Sequence, residues 1–164
     1  LHVGMSLTQC ADALGQIELK SKWRMERHDL KRGIVLINDA YNANPESMKA
    51  AITSLASFAT ANSRWLVVAG MHELGADSDT MHRDVGQVAR TAGVNRVVVI
   101  GETAKSVVDG AGDIAVWVPD RNAASDYIEK NISDHDVILI KASRSEGLEV
   151  LAQELENRLG RATG

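Results

Sequence analysis

Two short stretches of this 164-residue chain gather residues able to bind or move charge. The first reads Asn38-Asp39-Ala40-Tyr41-Asn42-Ala43-Asn44-Pro45 and follows the apolar run Ile34-Val35-Leu36-Ile37. A carboxylate at Asp39, flanked by the neutral amides of Asn42 and Asn44, is suited to the paired hydroxyls of a sugar such as ribose. The same residues also read as an ordinary polar loop ending in a helix cap, and the segment alone does not separate the two. The second stretch, Lys141-Ala142-Ser143-Arg144-Ser145, follows Val137-Ile138-Leu139-Ile140. If Ser143–Ser145 open the final helix, their free N–H groups and the helix dipole favour an anion there. Arg144 adds a fork of donors that fits a carboxylate bidentately. The plainer alternative pairs Lys141 and Arg144 with Glu146 and Glu149 as surface charges.

Both stretches need elements to hold them. Five apolar runs punctuate the chain: Ile34–Ile37, Trp65–Val68, Val97–Ile100, Ile114–Val118 and Val137–Ile140. They are continuous and β-branched, as strands buried on both faces are. The stretches between them have helical period. Asn44 suits an N-cap and Pro45 the first helical position, with Met48, Ile52, Leu55 and Ala59 on one face. A second helix is predicted from Ser78-Asp79 through Met81, Val85, Val88 and Ala92, stopped by Gly93. A shorter one is predicted near Thr103–Asp109. Another follows Pro119, capped by Asp120 with Ala124, Tyr127 and Ile128 inward, and the last carries Leu148, Leu151, Leu155 and Leu159.

Repeated strand–helix units predict a doubly wound, Rossmann-like α/β domain, with a mainly parallel sheet of five to six strands and helices on both faces. Ligands then bind beyond the carboxyl ends of the strands, which is where both polar stretches fall. Residues 33–164 form this domain. Residues 1–32 differ: a short helix around Met5, Ala11, Ala13 and Leu14 ends at Gly15, and Ile17–Leu19 with Ser21–Arg32 reads as a linker or an edge strand.

Composition narrows the function. A net charge of −4 argues against a nucleic-acid-binding surface. Lone Cys10 has no disulfide partner in the chain, and no apolar run approaches the ~18 residues that span a bilayer. The expectation is a cytoplasmic, monomeric piece of a longer protein, since Leu1-His2-Val3-Gly4 opens without methionine. Several apparent signals are set aside. Gly110-Ala111-Gly112 precedes a strand and so reads as a turn rather than a dinucleotide fingerprint. His72-Glu73 lacks the second histidine of a zinc helix, and no transition-metal site is expected. Asp77-Ser78-Asp79 charges a helix N-terminus, and Trp65 and Trp117 are expected in the core.

Taken whole, Asp39–Met48 resembles the signature that opens the C-terminal domain of the Mur ligase family, in the form carried by its D-alanyl-D-alanine-adding members. Trp23-Arg24-Met25 is similar to the family's junction between central and C-terminal domains. Met71–Gly75 with His82–Gly86 resembles its Gly-Asp-Met-x-Glu-Leu-Gly…His-x-x-Val-Gly block, and Lys141–Ser145 its Lys-Gly-Ser-Arg turn. Gly70 stands where the family usually has an acidic residue, and Ala142 where it has glycine.

The resemblance implies an ATP-dependent ligase joining D-alanyl-D-alanine to UDP-MurNAc-tripeptide. It puts residues 1–32 at the end of the central domain and the linker. Arg24, Asp39, Asn42 and Asn44 fall on the ATP side, and Lys141, Ser143, Arg144, Ser145 and Glu73 on the dipeptide side. The phosphate loop and Mg²⁺ belong to the central domain, and the chain contains no G-x-x-x-x-G-K-[ST] loop. No catalytic residue, tightly bound cofactor or turnover is therefore expected in this chain alone. Two alternatives stand beside this. Another amino-acid-adding member would carry a first-strand signature closer to Asp-Tyr-Ala-His. A non-catalytic receiver-type module would need an acidic cluster, which Asp39 alone does not make.

Overall fold

A computed structural model describes residues 22–162; the helix expected around Met5–Leu14 and the segment Ile17–Leu19 lie outside them. Strands form at β1 (Glu26–Asp29), β2 (Val35–Asn38), β3 (Arg64–Val68), β4 (Arg96–Ile100), β5 (Ala115–Val118) and β6 (Val137–Lys141). They make one sheet in the order β1-β2-β6-β3-β4-β5. All neighbours run parallel except β1, which pairs antiparallel with β2 at one edge. Within the described part of the segment expected to be a linker or an edge strand, Glu26–Asp29 form an edge strand.

Five α-helices are described: α1 (Pro45–Ala56), α2 (Ser78–Thr91), α3 (Ser106–Ala111), α4 (Arg121–Asn131) and α5 (Leu148–Leu159). The α1 cap is reciprocal. Asn44 Oδ1 accepts from the Ser47 N–H at 2.8 Å, and Ser47 Oγ accepts from the Asn44 N–H at 3.1 Å. Asp120 caps α4 by accepting from Ala123 N–H at 2.9 Å. Ala59 lies beyond the end of α1, and α3 starts later than the apolar pattern indicated.

The strands' alternate side chains feed two cores. Leu36, Trp65, Val67, Val98, Ile138 and Ile140 pack with α4 and α5 on one face. Ile37, Leu66, Val68, Val97, Val99 and Leu139 pack with α1, α2 and α3 on the other. Trp65 is fully buried and Trp117 half-buried. Glu156 of α5 ties β1 to this layer by accepting from Arg161 and from His28. The Arg161 hydrogen bond holds its carboxyl below the ordinary range, against the opposing effect of burial and with help from His28. The stability this adds is present above the ordinary carboxylate pKa and is lost as pH falls through the lowered one.

The sequence reading of Gly110-Ala111-Gly112 as a turn is corrected in part. Gly110 and Ala111 close α3, and only Gly112, at φ +65°, turns the chain. Gly110 is required by packing: a Cβ there would lie 1.9 Å from the Arg83 carbonyl oxygen of α2, and one at Gly86 2.1 Å from that of Val107. The two helix backbones touch. Gly110→Ala is therefore expected to cost ~1–3 kcal/mol or more, because overpacking against backbone has no side chain to yield. An unchanged denaturation midpoint would show that α3 moves away without cost.

Candidate functional site

Strands β2, β6 and β3 are neighbours, so the loops leaving their carboxyl ends converge. The loop after β2 carries Asp39–Asn44, that after β6 Ala142–Gly147, and that after β3 Ala69–Leu74. Two adjoining cavities form where they meet.

The first, of about 270 Å³, is lined by Arg24, Asp39, Tyr41, Asn42, Asn44, Ser47 and Lys141. Its wall is built around one ion pair. Lys141, the last residue of β6, donates from Nζ to Asp39 Oδ2 at 2.7 Å and to the Asn42 carbonyl at 2.8 Å. The other carboxylate oxygen accepts from the Met25 N–H at 3.1 Å. The Lys141 side chain is 3% exposed and that of Asp39 12%. A charge so desolvated is tolerable only when paired and hydrogen-bonded. Asn44 spends its side-chain oxygen on the helix cap, leaving its amide N–H₂ for a ligand.

The second cavity, of about 520 Å³, is lined by Asn42, Ala43, Asn44, His72, Glu73, Leu74, Ser143, Arg144 and Ser145. Ser143 is buried, and its hydroxyl accepts from the His72 N–H at 3.0 Å. His82 braces the same loop from α2. Its Nε2 accepts from the Met71 N–H at 2.9 Å, so Nδ1 carries the proton and donates to the Ser78 carbonyl at 2.8 Å. Glu73 sits at φ +63°, a left-handed conformation that a non-glycine residue holds only when its surroundings fix it. His72 Nε2 donates to Glu146 Oε1 at 2.5 Å.

A ladder of rings and guanidinium groups joins the two cavities. Arg24 lies 4.3 Å from the Tyr41 ring centroid, Arg144 lies 5.9 Å from that ring, and Arg144 stacks 3.9 Å over Trp23. Among the described residues, the ion pairs leave out both arginines.

The grouping expected from sequence largely assembles. Arg24, Asp39, Asn42 and Asn44 share the first cavity, and Glu73, Ser143, Arg144 and Ser145 the second. Lys141 is the exception, since it lies with Asp39 rather than beside Ser143 and Arg144. The helix-terminus argument also needs correcting. Arg144–Glu146 form a single 3-10 turn, Gly147 follows in the left-handed region at φ +63°, and α5 begins only at Leu148. Ser143–Ser145 therefore do not lie on the α5 dipole. Arg144 does not pair with Glu146 or Glu149 either; it stacks on Trp23. The His72–Glu146 contact was not anticipated, because the two residues are 74 positions apart and belong to no shared motif.

Polar loops converging at the carboxyl ends of central strands are where doubly wound α/β domains bind ligands, and here two cavities adjoin at that place. The chain's relatives make that class specific. The family described as Mur ligase, glutamate ligase domain, matches residues 23–144, and the chain belongs to the Mur ligase family. A UDP-N-acetylmuramoyl-tripeptide–D-alanyl-D-alanine ligase of Mycobacterium leprae is 35% identical over 175 residues, covering 94% of this chain and 34% of that protein. A crystal structure of MurF from Acinetobacter baumannii superposes with a TM-score of 0.83 at 26% identity, covering 94% of this chain and 34% of that one. A MurF ligase from Thermotoga maritima in complex with ADP shares the fold, with a TM-score of 0.75 at 24% identity over 85% of this chain and 32% of that one. The chain thus spans about a third of the length of the relatives it matches.

Proposed function

We propose that this domain is the substrate-binding C-terminal part of an ATP-dependent ligase that joins D-alanyl-D-alanine to UDP-MurNAc-tripeptide in peptidoglycan precursor synthesis. The observation that carries this reading is the pair of cavities sharing Asn42 and Asn44. One offers a fixed carboxylate and a free guanidinium to a nucleotide, and the other offers Arg144, Ser143, Ser145 and Glu73 to a small zwitterion. The M. leprae relative is named for the same two peptide substrates, the muramoyl tripeptide and D-alanyl-D-alanine.

In this reading Asp39, held by Lys141, presents its remaining acceptor capacity to the nucleotide ribose, with the Asn42 and Asn44 amides alongside. Arg24 leaves Tyr41 to meet the phosphates when the domain closes. Arg144 takes the dipeptide carboxylate in its fork of donors. The reaction phosphorylates the tripeptide carboxylate, and the dipeptide amine then displaces phosphate from the acyl phosphate. Mg²⁺ bound to the nucleotide would neutralise phosphate charge. We assign its ligands to the part of the ligase outside this domain, together with the phosphate loop that this chain does not contain. Among the described residues no helix is long and apolar enough to cross a membrane.

The test is ADP release by the intact ligase given ATP and UDP-MurNAc-tripeptide. Release should depend on D-alanyl-D-alanine, and single amino acids should not replace the dipeptide. The 164-residue chain alone should turn over no ATP, having no loop to cradle the γ-phosphate. Equal stimulation by a single amino acid would move the domain to another amino-acid-adding member of the family. Turnover by the isolated chain above a buffer control would relocate the active site.

A further inference from the structure

The proposed reaction has a requirement that the residues assigned so far do not meet. A peptide's α-amino group has a pKa near ~8, so at neutral pH the incoming dipeptide arrives mostly as an ammonium ion, which cannot attack carbon. It must lose a proton inside the site.

Four side chains with relevant chemistry border the second cavity. Arg144 cannot accept a proton. The Ser143 hydroxyl is occupied by the His72 N–H. Glu73 has no hydrogen bond among the described residues that would fix its direction, though it is as open to solvent as His72. His72 differs from these. Its Nε2 lies 2.5 Å from Glu146 Oε1, and a carboxylate oxygen accepts, so Nε2 is the nitrogen that donates and, in the neutral ring, Nδ1 is the one left to accept. Among the described residues Nδ1 has no partner, and the ring lines the cavity. An imidazole with one nitrogen anchored by a carboxylate and the other open is the arrangement that makes histidine an oriented base, because the carboxylate stabilises the imidazolium that forms.

The backbone at position 70 makes room for the carboxylate. A Cβ on Gly70 would lie 2.6 Å from Glu146 Oε1 and 2.8 Å from Thr103 Cγ2. The Glu146 carboxylate therefore fills the space that any side chain at position 70 would take, and the glycine there is what admits it.

We propose that His72, oriented by Glu146, accepts the proton of the incoming dipeptide's ammonium group. The proton passes from the ammonium nitrogen to His72 Nδ1. The freed lone pair forms the C–N bond to the acyl carbon, the C–O bond to phosphate breaks with its electron pair on oxygen, and the second N–H proton leaves with the released phosphate. This step rests on the ligase reading above.

The test uses the intact ligase and two nucleophiles: D-alanyl-D-alanine, and hydroxylamine, which is already neutral at pH 7 and traps the acyl phosphate as a hydroxamate. His72→Gln should lower kcat for the dipeptide ~100-fold or more, the usual worth of a general base. The dipeptide KM should stay nearly unchanged, since Arg144 holds the carboxylate. Hydroxamate formation should be unaffected. Glu146→Gln should give a smaller loss of the same pattern, and the double variant should be no worse than His72→Gln, because the two act as one unit. Equal loss with both nucleophiles, or an unchanged dipeptide kcat, overturns the role of His72 while leaving the ligase reading intact. A wild-type enzyme that makes the hydroxamate but no dipeptide product overturns the ligase reading, and this role with it.

Discussion

Asp39→Ala is expected to cost the domain about 3–5 kcal/mol, because it strands the Lys141 ammonium inside the protein. That charge is 3% exposed and would keep only the Asn42 carbonyl as a partner. The loss corresponds to a melting temperature lower by ~2–4 °C for each kcal/mol in a domain of this size. Asp39 is thus a binding candidate and a structural counter-ion at once, and a raised KM for ATP in this variant would not separate the roles. The double variant Asp39→Asn, Lys141→Met separates them. With neither buried charge left, most of the stability should return, while the ribose still lacks its carboxylate and the KM for ATP stays high. Full recovery of the KM together with stability would leave Asp39 with the structural role alone. A single variant that melts like the wild type would show that water reaches Lys141.

Arg144→Ala in the intact ligase should raise the KM for D-alanyl-D-alanine by ~10–100-fold, the worth of a charge-assisted hydrogen bond or two. The KM for ATP should move little, since the Arg24–Tyr41 contact in the first cavity remains. Arg144→Lys should fall between the two, keeping the charge but losing the planar fork and its stack on Trp23. Equal increases for both substrates would mean that the ring ladder merely holds the two cavities in shape. An unchanged dipeptide KM would return the carboxylate to other groups of the same cavity, such as Ser143 and Ser145.

The core of the fold is legible because burial on both faces demands continuous β-branched runs, and Val97-Val98-Val99-Ile100 or Val137-Ile138-Leu139-Ile140 fit nothing else so well. The caps at Asn44 and Asp120 are legible because a short polar side chain before an apolar-periodic segment has a direct mechanism, and both make the expected hydrogen bonds. The start of α5 is not. Ser143, Arg144 and Ser145 resemble a helix entrance, but Gly147 takes a left-handed turn that needs no particular neighbours to announce it. Lys141 is legible as a charge at a strand end, though not as a buried one, because its partner lies 102 positions away. The same distance effect hides the His72–Glu146 pair. Local sequence reports which groups are present, and only the strand order decides which of them meet.

Strand β6 enters the sheet between β2 and β3, which precede it in the chain. While the chain is being synthesised, β2 and β3 can each leave the ribosome complete and still lack their shared neighbour. Until Val137–Lys141 emerges, both present bare apolar edges of the kind that pair with other chains. Such non-local closure is slow, and incomplete chains are exposed to aggregation while they wait. The cavities follow the same schedule: Lys141 holds the wall of one, and Ser143–Ser145 line the other. Nascent chains shorter than Val137 therefore have neither site, and both appear together as the last parallel strand docks.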